Sequence, residues 1–73
     1  MRTLPSHPTL VDQLYNAILS EISGGKFGHG SRLIQEELAE WLGVSRQPVQ
    51  QALLLLRSHG MLRDAPGRGL IVA

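Results

Sequence analysis

The stretch Val44-Ser45-Arg46-Gln47-Pro48-Val49 constrains this chain more than any other, because it fixes where one helix ends and the next begins. Gly43 lets the backbone turn sharply just before it. Ser45 stands at a helix N-cap position, where a hydroxyl accepts a hydrogen bond from an amide of the first turn. Pro48 then falls at N3, where its missing N–H costs nothing because that amide has no helical partner. With N3 closed, the Ser45 hydroxyl is expected to pair with the amide of Gln47. Val44 before the cap and Val49 at N4 are spaced as a hydrophobic staple, which fixes the angle at which the chain enters the helix. The stretch reads as helix, tight turn, second helix, with Arg46 and Gln47 at the open N-terminus of the second.

A chain of 73 residues suffices for one small domain with one modest core. Its apolar fraction of 42% is ordinary for a folded protein, so a packed core is expected. Cysteine is absent from the sequence, which removes disulfides, thiolate zinc sites and cysteine nucleophiles together. Residues 1–8, with Pro5, Ser6 and Pro8, read as a flexible leader whose apolar content is too low for a signal peptide. No segment approaches the length of a membrane span, and a cytoplasmic domain over residues 9–73 is the expectation.

The net charge of +1 says little, but its distribution says more. From Gln35 to Gly43 the charges are Glu36, Glu37 and Glu40; from Val44 to Ala73 they are Arg46, Arg57, Arg63 and Arg68 against Asp64 alone. The C-terminal part is a weakly basic surface built from arginine, the residue best suited to phosphate forks and base edges.

Thr9 can cap a first helix, with Asp12 at N3 near the positive end of the dipole. Apolar residues follow at Val11, Leu14, Tyr15, Ile18, Leu19 and Ile22, one stripe of an amphipathic helix that Ser23-Gly24-Gly25 ends. Lys26 to Ser31 is a glycine-rich loop with Phe27 against the core, and Arg32-Leu33-Ile34 reads as a brief strand. Gln35 to Leu42 forms the second helix, with Leu38, Ala39 and Leu42 on one side, Trp41 at the core edge and the three glutamates solvating the other side. The third helix runs from Arg46 to about Ser58 with Val49, Ala52, Leu53 and Leu56 buried. At roughly 100° per residue, Gln47, Gln50 and Gln51 point away from that stripe. His59-Gly60 closes it. Met61-Leu62-Arg63 and Leu70-Ile71-Val72 flank Asp64-Ala65-Pro66-Gly67-Arg68-Gly69, a turn-forming run, and together predict a β-hairpin. The fold class is mainly α with a small β-hairpin, in the order of a winged helix-turn-helix.

Several separated motifs then agree with one family. Arg32-Leu33, Glu37-Leu38-Ala39, Leu42-Gly43-Val44-Ser45-Arg46, Pro48-Val49, Ala52-Leu53, Leu56, Gly60-Met61-Leu62 and Pro66-Gly67-Arg68-Gly69 resemble the N-terminal DNA-binding domain of GntR-family bacterial transcription regulators. The Leu-Gly-Val-Ser-Arg-x-Pro-Val run resembles the FadR-type subfamily. The resemblance covers roughly Leu10 to Val72 and implies a winged helix that binds double-stranded DNA at a palindromic operator. It also implies a homodimer formed through a C-terminal effector domain that senses a small acidic metabolite and is absent from this chain. On matching positions, it assigns Ser45 and Arg46 to the phosphate backbone and bases of the major groove. Gln47 faces the same groove, and Gly67, Arg68 and Gly69 form the wing tip at the minor groove. Gln50 departs from the family's usual arginine. It keeps a hydrogen-bonding amide suited to adenine N6 and N7 but adds nothing to counterion release. Leu54 and Leu55 stand where polar residues are usual.

Each candidate has a plainer explanation beside it. Arg46 lies at the positive end of a helix, where a cation is mildly disfavoured unless an anion joins it. Ser45 is explained by capping alone. Arg68 lies between glycines that a hairpin turn would need anyway, though an arginine so placed suits a narrow minor groove. Gln47, Gln50 and Gln51 are base readers or a soluble face. Arg32, Arg57 and Arg63 could hold phosphates from the flanks. His7, His29 and His59 lack ligand spacing, so neither metal nor other cofactor is expected in this domain. The glutamates lack a pocket, so no enzyme is expected. A competing function is protein interaction through a surface of Leu54, Leu55 and Trp41.

Overall fold

In the computed structural model, which describes residues 9–73, the elements follow in the expected order. The leader expected over residues 1–8 lies outside the described residues. Helix α1 spans Leu10–Ser23 and opens with a complete capping box. The Thr9 hydroxyl accepts from the Asp12 amide and the Asp12 carboxylate accepts from the Thr9 amide, each at 3.1 Å. Helix α2 spans Gln35–Leu42 and helix α3 spans Arg46–Ser58. Strands β1 (Arg32–Leu33), β2 (Leu62–Asp64) and β3 (Leu70–Val72) complete the chain. The first hairpin strand starts one residue later than Met61 and takes in Asp64. The cause lies in the end of α3, where the Met61 amide is still committed to the Leu56 carbonyl (2.9 Å).

All three strands form one antiparallel sheet in the order β1-β3-β2, so the last strand is its centre. Ile71 lies opposite Arg32 on one side and Arg63 on the other. The short β1 thereby ties the loop before α2 to the wing. Leu33, Leu62, Leu70 and Val72 turn inward and join Leu14, Ile18, Leu38, Ala39, Val49, Ala52, Leu53 and Leu56 in a single buried cluster. This is the stripe pattern read from periodicity, closed by the sheet. Val44 packs against the cluster that contains Val49, as a staple requires. Trp41 is more exposed than a core-edge residue, at 53%. Its ring makes an edge contact with Phe27 (centroids 6.0 Å apart), and the Lys26 ammonium lies over it at 5.9 Å.

The tight turn between α2 and α3 depends on Gly43, whose φ of 71° is left-handed. The Gly43 amide donates to the Glu40 carbonyl (3.2 Å) and the Val44 amide to the Ala39 carbonyl (3.0 Å). This Schellman pairing satisfies two end carbonyls of α2 and leaves only Val44 and Ser45 before α3 begins.

The wing has two glycines with positive φ that differ in their surroundings. At Gly67 (φ 84°) a Cβ would meet nothing within 4 Å, whereas at Gly69 (φ 80°) it would lie 2.7 Å from the Leu33 carbonyl oxygen. Gly67→Ala should therefore cost only the left-handed backbone penalty, roughly 1–2 kcal/mol. Gly69→Ala should add overpacking of about 1–3 kcal/mol as the β1–β3 contact is forced apart. Urea unfolding of both variants checks this, and equal losses would refute the distinction.

Candidate nucleic-acid interface

Arg46 is the first residue of α3, and Glu36 lies in the first turn of α2. The turn at Gly43 brings these two helix starts together. The Gln35 side-chain amide donates to the Arg46 carbonyl (3.3 Å), bracing the start of α3 against α2. The wing reaches the same place. Arg32 donates through Nη1 to the Pro66 carbonyl (3.2 Å) and to the Arg68 carbonyl, holding the wing turn at both ends. Arg68 is thus delivered beside α2, with its guanidinium 3.3 Å from Glu36 Oε1, while Arg46 lies 3.6 Å from Glu36 Oε2. One carboxylate stands between the arginine of the helix and the arginine of the wing.

These groups are largely open to solvent: the Arg46 and Arg68 side chains are 65% and 70% exposed and that of Glu36 is 50% exposed. The Glu36 carboxyl is held below the ordinary carboxylate range, first by a hydrogen bond to its own backbone amide and then by the charges of Arg68 and Arg46. It is therefore ionised at neutral pH.

Three expectations about individual residues change. The Ser45 hydroxyl makes no capping hydrogen bond, although Ser45 has the extended N-cap backbone (φ −72°, ψ 166°). Its usual N3 partner is removed by Pro48, and the Gln47 amide does not replace it, so an exposed hydroxyl is left at the helix start. Glu36 is not a merely solvating charge, since it pairs with two arginines. Arg32 and Arg57 are structural rather than free flanking cations: Arg32 holds the wing turn, and Arg57 pairs with Asp64 at 2.9 Å, joining α3 to β2.

The other candidates lie where their positions suggested. Gln47, Gln50 and Gln51 are all exposed on α3, and Gly67, Arg68 and Gly69 are exposed at the wing. Gln50, Leu54 and Gly69 line a depression of about 160 Å³ between α3 and the wing, together with Leu33, Leu53 and Leu70. Trp41 instead lines a separate depression of about 260 Å³ with Lys26, Phe27 and Glu37. Of the apolar surface expected from Leu54, Leu55 and Trp41, all three residues are exposed, with Leu54 and Trp41 lining different depressions and Leu55 lining neither. The cooperation of Arg32, Gln35 and Glu36 had no local signal: Glu36 and Arg68 are 32 residues apart, and only the wing's return to β1 makes them neighbours.

A recognition helix entered through a tight turn, and an arginine-bearing wing folded back beside it, define a winged helix-turn-helix DNA-binding domain. Residues 10–72 match the family described as bacterial regulatory proteins, gntR family. The chain belongs to the GntR family. It is 41% identical over 66 residues to the HTH-type transcriptional regulator McbR of Escherichia coli strain K12, covering 90% of this chain and 30% of that protein. It is 39% identical over 60 residues to the uncharacterized HTH-type transcriptional regulator YdhC of Bacillus subtilis strain 168, covering 82% and 27% respectively. The chain thus spans less than a third of the length of either relative.

Among solved structures, E. coli McbR/YncC superposes with a TM-score of 0.82 at 39% identity over 90% of this chain and 31% of that one. The DNA-binding domain of AraR, solved in complex with operator ORX1, has a TM-score of 0.83 at 29% identity and covers 100% of this chain and 90% of that chain. Among the described residues, no helix is long and apolar enough to cross a membrane.

Proposed function

We propose that this chain is the sequence-specific DNA-binding part of a longer, metabolite-responsive transcription regulator that works in the bacterial cytoplasm. Residues 46–58 lie in the major groove, and the wing, residues 61–72, lies at the minor groove. Arg46 contacts phosphate, Ser45 offers its uncapped hydroxyl to the same backbone, and Gln47 and Gln50 face base edges. Gly67 and Gly69 let the wing approach closely so that Arg68 reaches the narrow groove. No cofactor is needed for this.

The observation that carries the reading is the convergence of Arg46 and Arg68 on one carboxylate, which puts the cations of helix and wing in one place. AraR's operator complexes, on a fold this chain shares, support it. The run from Leu42 to Val49, with Gly43, Ser45, Arg46 and Pro48, supports the FadR-type assignment. A single module of this kind buries only about 600–1,000 Å² on DNA, which favours a homodimer on a palindromic operator, paired through an effector domain outside this chain.

A salt titration tests the proposal. Fluorescence anisotropy with a labelled duplex should show weak binding whose log–log salt slope is about −2 or steeper, since each neutralised phosphate contributes about −0.9. Affinity that stays constant from about 50 to 200 mM salt would exclude phosphate contacts as its source.

A further inference from the structure

Glu36 introduces a charge of the wrong sign into a surface meant for an anion. Its two carboxylate oxygens are divided between the wing and the helix: Oε1 lies 3.3 Å from Arg68 and Oε2 3.6 Å from Arg46. A DNA phosphate would make the same arrangement, with two anionic oxygens bridging two guanidinium groups near a helix N-terminus. Glu36 thus already occupies, within the chain, the place of a phosphate. Its ionisation is secured by its own backbone amide and by both arginines. The pairs are also exposed, so they can be exchanged for another anion without opening the core.

Resting on the DNA-binding reading above, we propose that Glu36 is a positioning residue that competes internally with DNA phosphate for Arg46 and Arg68. In the free chain it keeps both guanidinium groups turned toward α2 and cancels one of their two charges. A duplex that meets only one of the arginines must take it from Glu36 and leaves the carboxylate close to the DNA. A duplex seated so that helix and wing both engage regains two contacts for the same repulsion. The carboxylate therefore penalises partial, non-specific engagement more than full engagement. Glu40, on the same helix, has the same charge but forms no ion pair among the described residues, so it provides a control for net charge alone.

The experiment measures binding of the chain to a fluorescein-labelled random-sequence duplex of roughly 20 base pairs across a salt series starting at about 50 mM, the low end at which phosphate-driven binding is strongest. The unaltered chain is compared with Glu36→Gln, Glu40→Gln and Arg46→Ala. Glu36→Gln is also measured in a background where Arg46 and Arg68 are both replaced by alanine. Thermal unfolding confirms that each protein is folded. Glu36→Gln should tighten binding roughly five- to tenfold and steepen the log–log salt slope by about 1, as one further phosphate contact would. Glu40→Gln should change affinity less than twofold, and the Glu36→Gln gain should shrink in the background without the two arginines.

Unchanged or weaker binding by Glu36→Gln, with Arg46→Ala still impaired, overturns the competition and leaves the DNA reading intact. An equal gain from Glu40→Gln, or a gain that persists without the two arginines, also overturns it. Binding by none of the proteins at the lowest salt removes the DNA reading and the competition together.

Discussion

Ile18→Ala is expected to lower the unfolding free energy by about 2–5 kcal/mol, the range for truncating a large aliphatic side chain in a packed core. Ile18 is completely buried at the middle of α1, along with Val49 and Leu56 of α3. A domain of this size has only about 4–11 kcal/mol in total, so the variant should lose a large fraction of its stability and unfold at a markedly lower urea concentration. The effect is large because the buried residues described form one cluster, to which the three helices and the sheet all contribute. No second cluster among the described residues can hold α3 when the α1 contact weakens. Leu54→Ala supplies the contrast. Leu54 neighbours the buried Leu53 in sequence but is 43% exposed, so its loss should change stability by no more than about 0.5 kcal/mol. Urea unfolding followed by circular dichroism separates the two, and an Ile18→Ala midpoint within error of the unaltered chain would contradict this packing.

The contrast between Leu53 and Leu54 also shows what a sequence of this kind reveals. The period of Val49, Ala52, Leu53 and Leu56 put Leu53 and Leu56 in the buried stripe of α3, and burial agrees with that assignment. Helix ends were equally legible: Thr9 with Asp12, Gly43 and Gly60 act through neighbouring backbone groups, so local residue identity suffices. The Ser45 cap failed for an equally local reason. Pro48 removes the favoured donor, and residue identity alone does not decide whether the next amide substitutes.

What the chain kept hidden is long-range. The register that makes β3 the central strand, with Arg32 opposite Ile71, depends on the loop before α2 returning to the wing. Arg32, Gln35 and Glu36 acquire their roles only through that return. A run of acidic residues on a helix is indistinguishable, in sequence, from a solvated face. Its meaning here comes from two arginines supplied by other elements.

Arg46→Ala should weaken DNA binding by roughly tenfold or more, corresponding to the ~1–3 kcal/mol typical of a deleted arginine contact, while leaving thermal stability nearly unchanged. The side chain is 65% exposed and its ion pair with Glu36 spans 3.6 Å, so little folding energy depends on it. Removing a cation from the first turn of α3 even relieves a mildly unfavourable interaction with the helix dipole. The salt dependence identifies which part of the DNA Arg46 touches. If Arg46 holds a phosphate, affinity should fall by a similar factor on every duplex and the log–log slope should become shallower by about 1. If it reads a guanine edge instead, the loss should be concentrated on one base pair of the preferred site, with the slope less affected. Arg46→Lys distinguishes the two further, because a lysine keeps the phosphate charge but not the planar fork that a guanine edge requires. Arg46→Ala binding as tightly as the unaltered chain at low salt would mean that α3 does not enter the groove by its N-terminus. That result would move the interface away from the turn on which the whole domain is built.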